Sequence, residues 1–185
     1  TVCMINHLIR SALLSKQKNP RFAYIAPTFK QAKSIAWDYM KQFTAKIPHT
    51  KFNETELRVD LPNGSRITLL GSENSDGLRG IYLDGCVIDE YANVNERLFP
   101  EIIRPALSDR KGYCVFIGTP QGMNNNFYEL YQHAQGAEDW FNYKAKASET
   151  KIVDEEELTK AKEVMGEKKY LQEFECDWIA NIEGA

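Results

Sequence analysis

The sequence predicts an α/β fold whose mostly parallel sheet is flanked by helices and carries an inserted β-hairpin. Three observations point there. The chain opens helix, strand, helix; two segments alternate in period two around Pro62, Asn63 and Gly64; and two later apolar runs are continuous, as in strands covered on both faces.

Val2 to Leu14 places apolar side chains at 2, 5, 8, 9, 12 and 13, a helical stripe. Asn6, His7 and Arg10 interrupt it, so it is neither a signal peptide nor a membrane span. After a polar connector, Phe22 to Ala26 is a short buried strand that Pro27 stops. Gln31 to Ile47 predicts a second amphipathic helix with Ile35, Ala36, Tyr39, Met40 and Phe43 on one side. Glu56 to Leu61 and Ser65 to Leu70 form the hairpin, followed by a polar loop from Gly71 to Gly80.

The first continuous run, Cys86 to Ile88, ends on Asp89 and Glu90. The second, Tyr113 to Ile117, ends on Gly118, Thr119 and Pro120. Between them Arg97 to Leu107 is helical around Pro100 and Pro105. Beyond them Phe127 to His133 is helical, and Trp140 to Ala147 alternates like a strand. Asp154 and Glu157 form a capping-box pattern before a charged helix running to about Gly166, with Glu156 and Lys160 one turn apart. A last segment, Lys168 to Trp178, has apolar positions at Tyr170, Leu171, Phe174 and Trp178. Residues 1–149 therefore divide as a core from a helical appendage at 150–185.

At 185 residues, 43% hydrophobic and 26% charged, the composition is that of a soluble globular protein. A net charge of −3 excludes a uniformly basic nucleic-acid coat; a polyanion would be gripped by local patches. Cys3, Cys86, Cys114 and Cys176 show no C-x-x-C pair and no ligand spacing with His7, His49 or His133, which argues against a zinc site. Reduced thiols in the apolar runs fit a reducing compartment.

An acidic pair at the carboxyl end of a buried parallel strand sits where open α/β sheets place ligands. In P-loop hydrolases the first acid holds Mg²⁺ and a following glutamate polarises water, because adjacent strand residues face opposite ways. Asp89 and Glu90 match that pattern, although an isolated pair of this kind is more often a solvated strand end. Thr119, in a rigid Pro-restricted turn between Gly118 and Gly122, offers a hydroxyl to a phosphate or to water. Thr1, leading directly into a helix, is what a loop of the form G-x-x-x-x-G-K-[ST] would leave if cut after its lysine.

Together these residues resemble the large terminases of phages, the ATP-driven motors that package DNA into procapsids. Tyr24 to Lys33 resembles their strand-to-helix segment after the P-loop, and Gly71 to Gly80 the loop before the Walker B strand. Tyr82 to Glu90 is similar to the Walker B segment, Val115 to Gly122 to the coupling motif, and Tyr170 to Glu175 to the end of the lid subdomain. The resemblance implies a P-loop NTPase of the ASCE type with ATP and Mg²⁺ as cofactors. It makes Asp89 the Mg²⁺ aspartate, Glu90 the catalytic glutamate, and Thr1 the P-loop threonine that binds ATP and metal. Thr119, with Gly118 and Gln121, would sense the γ-phosphate. Arg79 falls where some members place an arginine that reaches a neighbouring subunit's ATP; a loop salt bridge is the other reading.

The resemblance also implies double-stranded DNA, a portal or procapsid and a small terminase subunit as partners, a homo-oligomeric ring, and action in the cytoplasm of an infected bacterial host. The glycines and lysine of the P-loop, the first strand and the nuclease domain of a full terminase are not in the sequence. A partial chain is therefore expected, itself inactive in hydrolysis, whose sheet shows a gap or has closed up. Candidate DNA surfaces are Lys16/Lys18/Arg21, Lys144/Lys146 and Lys160/Lys162/Lys168/Lys169, each also readable as a solvated face. The alternatives are a helicase-like P-loop ATPase, or an inactive prophage remnant acting only as an interaction domain.

Overall fold

The computed structural model describes residues 1–179, in two compact units divided after Ile117. The final six residues of the proposed 150–185 appendage lie outside the described residues.

The first unit is built on one sheet of order β2-β3-β4-β1-β5-β6. Its strands are β1 (Arg21–Ala26), β2 (Lys51–Asn53), β3 (Arg58–Asp60), β4 (Arg66–Gly71), β5 (Gly85–Ile88) and β6 (Tyr113–Phe116). β1 runs parallel to β4 and β5, and β5 parallel to β6; the hairpin supplies the antiparallel pairs. β1 is central because Phe22 to Ala26 are all buried, which only a strand covered on both faces achieves. The six strands form one continuous sheet with β6 at an edge.

Helix α1 (Val2–Leu14) lays Ile5, Leu8, Ile9 and Ala12 onto the sheet against a core that includes Phe22, Tyr24 and Val87. Ile5, Leu8 and Ile9 each contribute roughly 1.5–3 kcal/mol by leaving water. Val2 and Leu13, the flanks of the predicted stripe, stay exposed.

The second predicted helix is α2 (Phe29–Ala32), a wide π turn (Lys33–Trp37) and α3 (Asp38–Thr44). Its buried row is Ala32, Ala36, Met40 and Thr44, with Trp37, whereas Tyr39 is exposed and Ile35 and Phe43 only half-buried. The π turn corrects the predicted face: its wider winding keeps positions four apart in register, where a regular α-helix would drift around its axis. Thr44 satisfies its buried hydroxyl locally by donating to the Met40 carbonyl at 2.7 Å.

The loop from Gly71 is largely a 3₁₀ segment (Ser72–Leu78), and the proline-bearing stretch after β5 becomes a π turn (Phe99–Ile103) and α4 (Arg104–Ser108).

The second unit contains α5 (Asn126–Gly136), α6 (Ala147–Thr150), α7 (Glu155–Met165) and α8 (Glu167–Glu175). Asn125 caps α5 by accepting from the amides of Phe127 and Tyr128. Asp154 caps α7, accepting from the Glu156 amide at 2.8 Å. Trp178 is buried among the rings of Phe127, Tyr128 and Tyr131. The alternating stretch before α6 is not a strand, contrary to the prediction. Period two fixes which way side chains face, but a strand also needs a neighbour for its backbone groups. The second unit offers none among its described residues, and Phe141 and Tyr143 are left 88% and 70% exposed.

Candidate functional site

The parallel register brings Tyr24 and Asp89 to one point. Tyr24 of β1 lies beside Val87 of β5. Asp89 is two residues beyond Val87 and so faces the same side, which is the side covered by α1. Two residues of strand advance ~6.6 Å, close to the reach of a phenol, so Tyr24 delivers its hydroxyl to Asp89. The Asp89 amide extends the ladder by donating to the Ile25 carbonyl at 2.8 Å.

The Asp89 carboxylate is 3% exposed and held by three donors. Oδ2 accepts from the hydroxyls of Tyr24 and Thr1, the latter at 2.8 Å, and Oδ1 accepts from the Glu90 amide at 2.9 Å. Thr1 is the N-cap of α1, but its hydroxyl serves Asp89 instead of capping the helix. The positive end of α1 therefore adds to the hydrogen bonds that compensate a buried anion. Burial, reinforced by the adjacent carboxylate, pushes the Tyr24 hydroxyl far above the usual tyrosine range, so it remains a donor.

Glu90 sits at φ 50° and ψ 45°, a left-handed conformation uncommon for a non-glycine residue. It turns the chain sharply out of β5 into a short 3₁₀ segment (Tyr91–Asn93), whose Asn93 amide donates back to the Glu90 carbonyl at 2.8 Å. The residue expected to act on water is thus presented from a strained turn immediately after the carboxylate expected to serve the metal.

The donor set suits a hard cation. Mg²⁺ takes oxygen ligands, commonly one or two from protein with the rest from water and phosphate, and Asp89 and Thr1 supply a carboxylate and a hydroxyl in contact. Among the described residues no group of three or more His, Cys, Asp or Glu side chains could hold a metal alone.

The side-chain partners of Arg79 are other acids. It pairs with Asp76 at 3.1 Å and with Glu101 at 3.4 Å, and Glu101 is also held by Arg97 at 2.7 Å. Gly118, Thr119 and Gln121 belong to the second unit, where Asn125 ties their loop to the start of α5 by donating to the carbonyls of Gln121 and Gly122.

Much of the basic charge is locally matched: Lys146 with Glu149, Lys160 with Glu156, Lys162 with Glu167 and Lys169 with Glu173, all within 2.9 Å. Lys144 lies over the Tyr131 ring. The functional residue that pattern reading misses is Tyr24, which spacing shows only as part of a buried strand. A signal for it exists, since a phenol amid Phe22, Ala23, Ile25 and Ala26 must find a polar partner.

A family model described as terminase large subunit, T4-like-virus type, N-terminal, matches residues 1–183. The terminase large subunit of Thermus phage G20c is 29% identical over 126 residues, covering 58% of this chain. The match spans 26% of the length of that relative and of its counterpart in Thermus virus P23-45. Among solved structures, the large terminase ATPase domain of Thermus phage P74-26 aligns with a TM-score of 0.75 at 21% identity, covering 91% of this chain and 80% of that one. The large terminase of another thermophilic bacteriophage, also solved in complex with ADP, aligns with a TM-score of 0.78 at 13% identity, covering 95% and 44%. The α/β architecture is that of these ATPase domains.

Proposed function

Since the chain belongs to the family of terminase large subunits, we propose that it is the ATPase region of a viral DNA-packaging motor, hydrolysing ATP to drive double-stranded DNA into a procapsid. The observation that carries this reading is the contact between Thr1, at the N-terminus of α1, and Asp89, at the carboxyl end of β5. A helix start with a hydroxyl facing a strand-end carboxylate is the arrangement a Mg²⁺-bound phosphate chain requires.

Asp89 and Thr1 hold Mg²⁺, which when bound neutralises phosphate charge. Glu90 accepts the proton of the attacking water. Thr119, with Gly118 and Gln121, senses the γ-phosphate at the start of the second unit, and the helical segment from residue 150 serves as the lid. Arg79 exchanges its partners Asp76 and Glu101 for the nucleotide of a neighbouring subunit in a ring. The ring engages a portal or procapsid and a small terminase subunit in the cytoplasm of the infected bacterium. No helix among the described residues is long and apolar enough to cross a membrane.

The test is Glu90→Gln in a chain that carries a phosphate loop ahead of Thr1. Loss of a positioned general base costs ~10²–10⁴ in turnover, with nucleotide binding retained. Unchanged turnover would refute the catalytic assignment.

A further inference from the structure

The Asp89 carboxylate is held by three donors. A carboxylate offers roughly four acceptor positions. Three are filled, by the Tyr24 hydroxyl, the Thr1 hydroxyl and the Glu90 amide. These donors differ in kind. The Glu90 amide is backbone, fixed by the left-handed turn. The Thr1 hydroxyl belongs to a residue that the proposed function needs for the metal itself: its proton goes to the carboxylate while its lone pairs are what a cation would use. The Tyr24 hydroxyl is fixed by a fully buried ring in the central strand.

We infer that Tyr24 is a positioning residue for the metal carboxylate: its hydroxyl anchors Asp89 Oδ2 from the central strand, so that the acceptor position still open on the carboxylate, beside the Glu90 amide on Oδ1, is held in place for a hydrated divalent cation. The inference rests on the proposed Mg²⁺ role of Asp89.

The geometry explains why tyrosine is suited to this position. The ring is locked between α1 and the sheet, in one core with Leu8, Phe22 and Val87. An aspartate at the end of a strand has a freely rotating carboxylate unless something pins it, and at 3% exposure water is poorly placed to do so. A hydroxyl fixed by a buried ring supplies a constraint with little conformational cost at the moment of binding. Phenylalanine would fill the same space and remove only the anchor. It would leave a buried, charged acceptor one partner short, a more costly change than losing a neutral hydrogen bond.

The experiment uses the 185-residue chain, with Mn²⁺ as the spectroscopic probe for Mg²⁺. Binding is followed by loss of the free-ion electron paramagnetic resonance signal for wild type, Tyr24→Phe and Asp89→Asn, each melted beforehand without metal. Asp89→Asn is expected to abolish the tightest class of sites. Tyr24→Phe is expected to melt within a few degrees of wild type and to weaken that class about tenfold, an effect that a purely structural loss would not produce in a folded protein. Wild-type Mn²⁺ affinity in folded Tyr24→Phe overturns the positioning role. Wild-type affinity in Asp89→Asn overturns the metal reading instead.

If Tyr24→Phe does not fold, wild-type chain labelled with ζ-¹³C tyrosine decides the matter. Mn²⁺ should broaden at least one of the nine tyrosine signals, and the broadening should disappear in Asp89→Asn. The absence of any broadened tyrosine signal overturns the proposal.

Discussion

Ser65 donates its hydroxyl to the carbonyl oxygen of Ala12 at 2.6 Å, joining the hairpin turn to the last turn of a helix 53 residues away in sequence. The final carbonyls of a helix have no partners within it, and α1 depends on the hairpin for them. Asn63 adds donations to Ala12 at 2.9 Å and to Leu13 at 3.2 Å. Ser65→Ala is expected to cost ~1–3 kcal/mol of unfolding free energy, because a buried acceptor loses a partner. Urea titration measures it; a loss below about 0.5 kcal/mol would mean that Asn63 alone caps the helix.

Gly85 faces its register partner Tyr113, whose ring lies across the space a side chain would occupy. A Cβ at Gly85 would stand closer than 3.0 Å to that ring. The ring in turn meets His7 edge-on and lies near Phe22, so it has little freedom to withdraw. Gly85→Ala should destabilise by ~1–3 kcal/mol through overpacking. In a Tyr113→Ala background the same change should cost markedly less, and a double-mutant cycle showing full additivity would contradict the steric account.

Glu54 accepts from the Trp37 indole at 2.6 Å and pairs with Lys41 at 3.3 Å. The Trp37 hydrogen bond, with the Lys41 contact, holds its carboxyl below the usual glutamate range despite an opposing desolvation effect. A depressed folded-state pKa contributes stability that is present above the unfolded value and lost as pH falls through the folded one. Thermal midpoints of wild type and Glu54→Gln should therefore differ at neutral pH, with wild type higher, and converge as the pH falls below the carboxylate range. A gap independent of pH would rule out the charged form as its source.

Lys111 occupies the left-handed region at φ 51°, just after α4, and its amide donates to the Ser108 carbonyl at 3.2 Å. Glycine is the usual residue in this closing position. Lys111→Gly should be neutral to stabilising, by up to ~1 kcal/mol, where most loop-to-glycine changes destabilise. A chemical-denaturation midpoint clearly below wild type would show that the lysine side chain holds something more valuable than the backbone relief.

Where side-chain pattern and backbone pairing agree, the fold is readable in the residues. The stripe from Ile5 to Ala12 forms α1, the continuous run in β5 is parallel and buried, and Pro62-Asn63-Gly64 turns the hairpin. Pattern fails where geometry departs from the regular repeat or where a partner is required. The π turn at Lys33–Trp37 shifts a buried face that a 3.6-residue repeat would have placed on Tyr39 and Phe43. The alternating stretch around Phe141 has no strand to join among the described residues. In the site, Asp89, Glu90 and Thr1 stand out by position, but Tyr24 does not, because its role depends on a cross-strand register that spacing along the chain does not encode. For Arg79 the loop salt bridge offered as one of two readings is present, with Asp76 in the same loop; its second partner, Glu101, lies 22 residues on and is not encoded by local spacing.

Helix α1 is fastened at both ends by side chains from elsewhere in the first unit: Thr1 to Asp89 at one, Asn63 and Ser65 to Ala12 and Leu13 at the other. At 1.5 Å per residue its 13 residues make a rod of about 20 Å. The helix thus spans the distance from the carboxylate edge of the sheet to its hairpin turn like a strut, with a side-chain joint at each end.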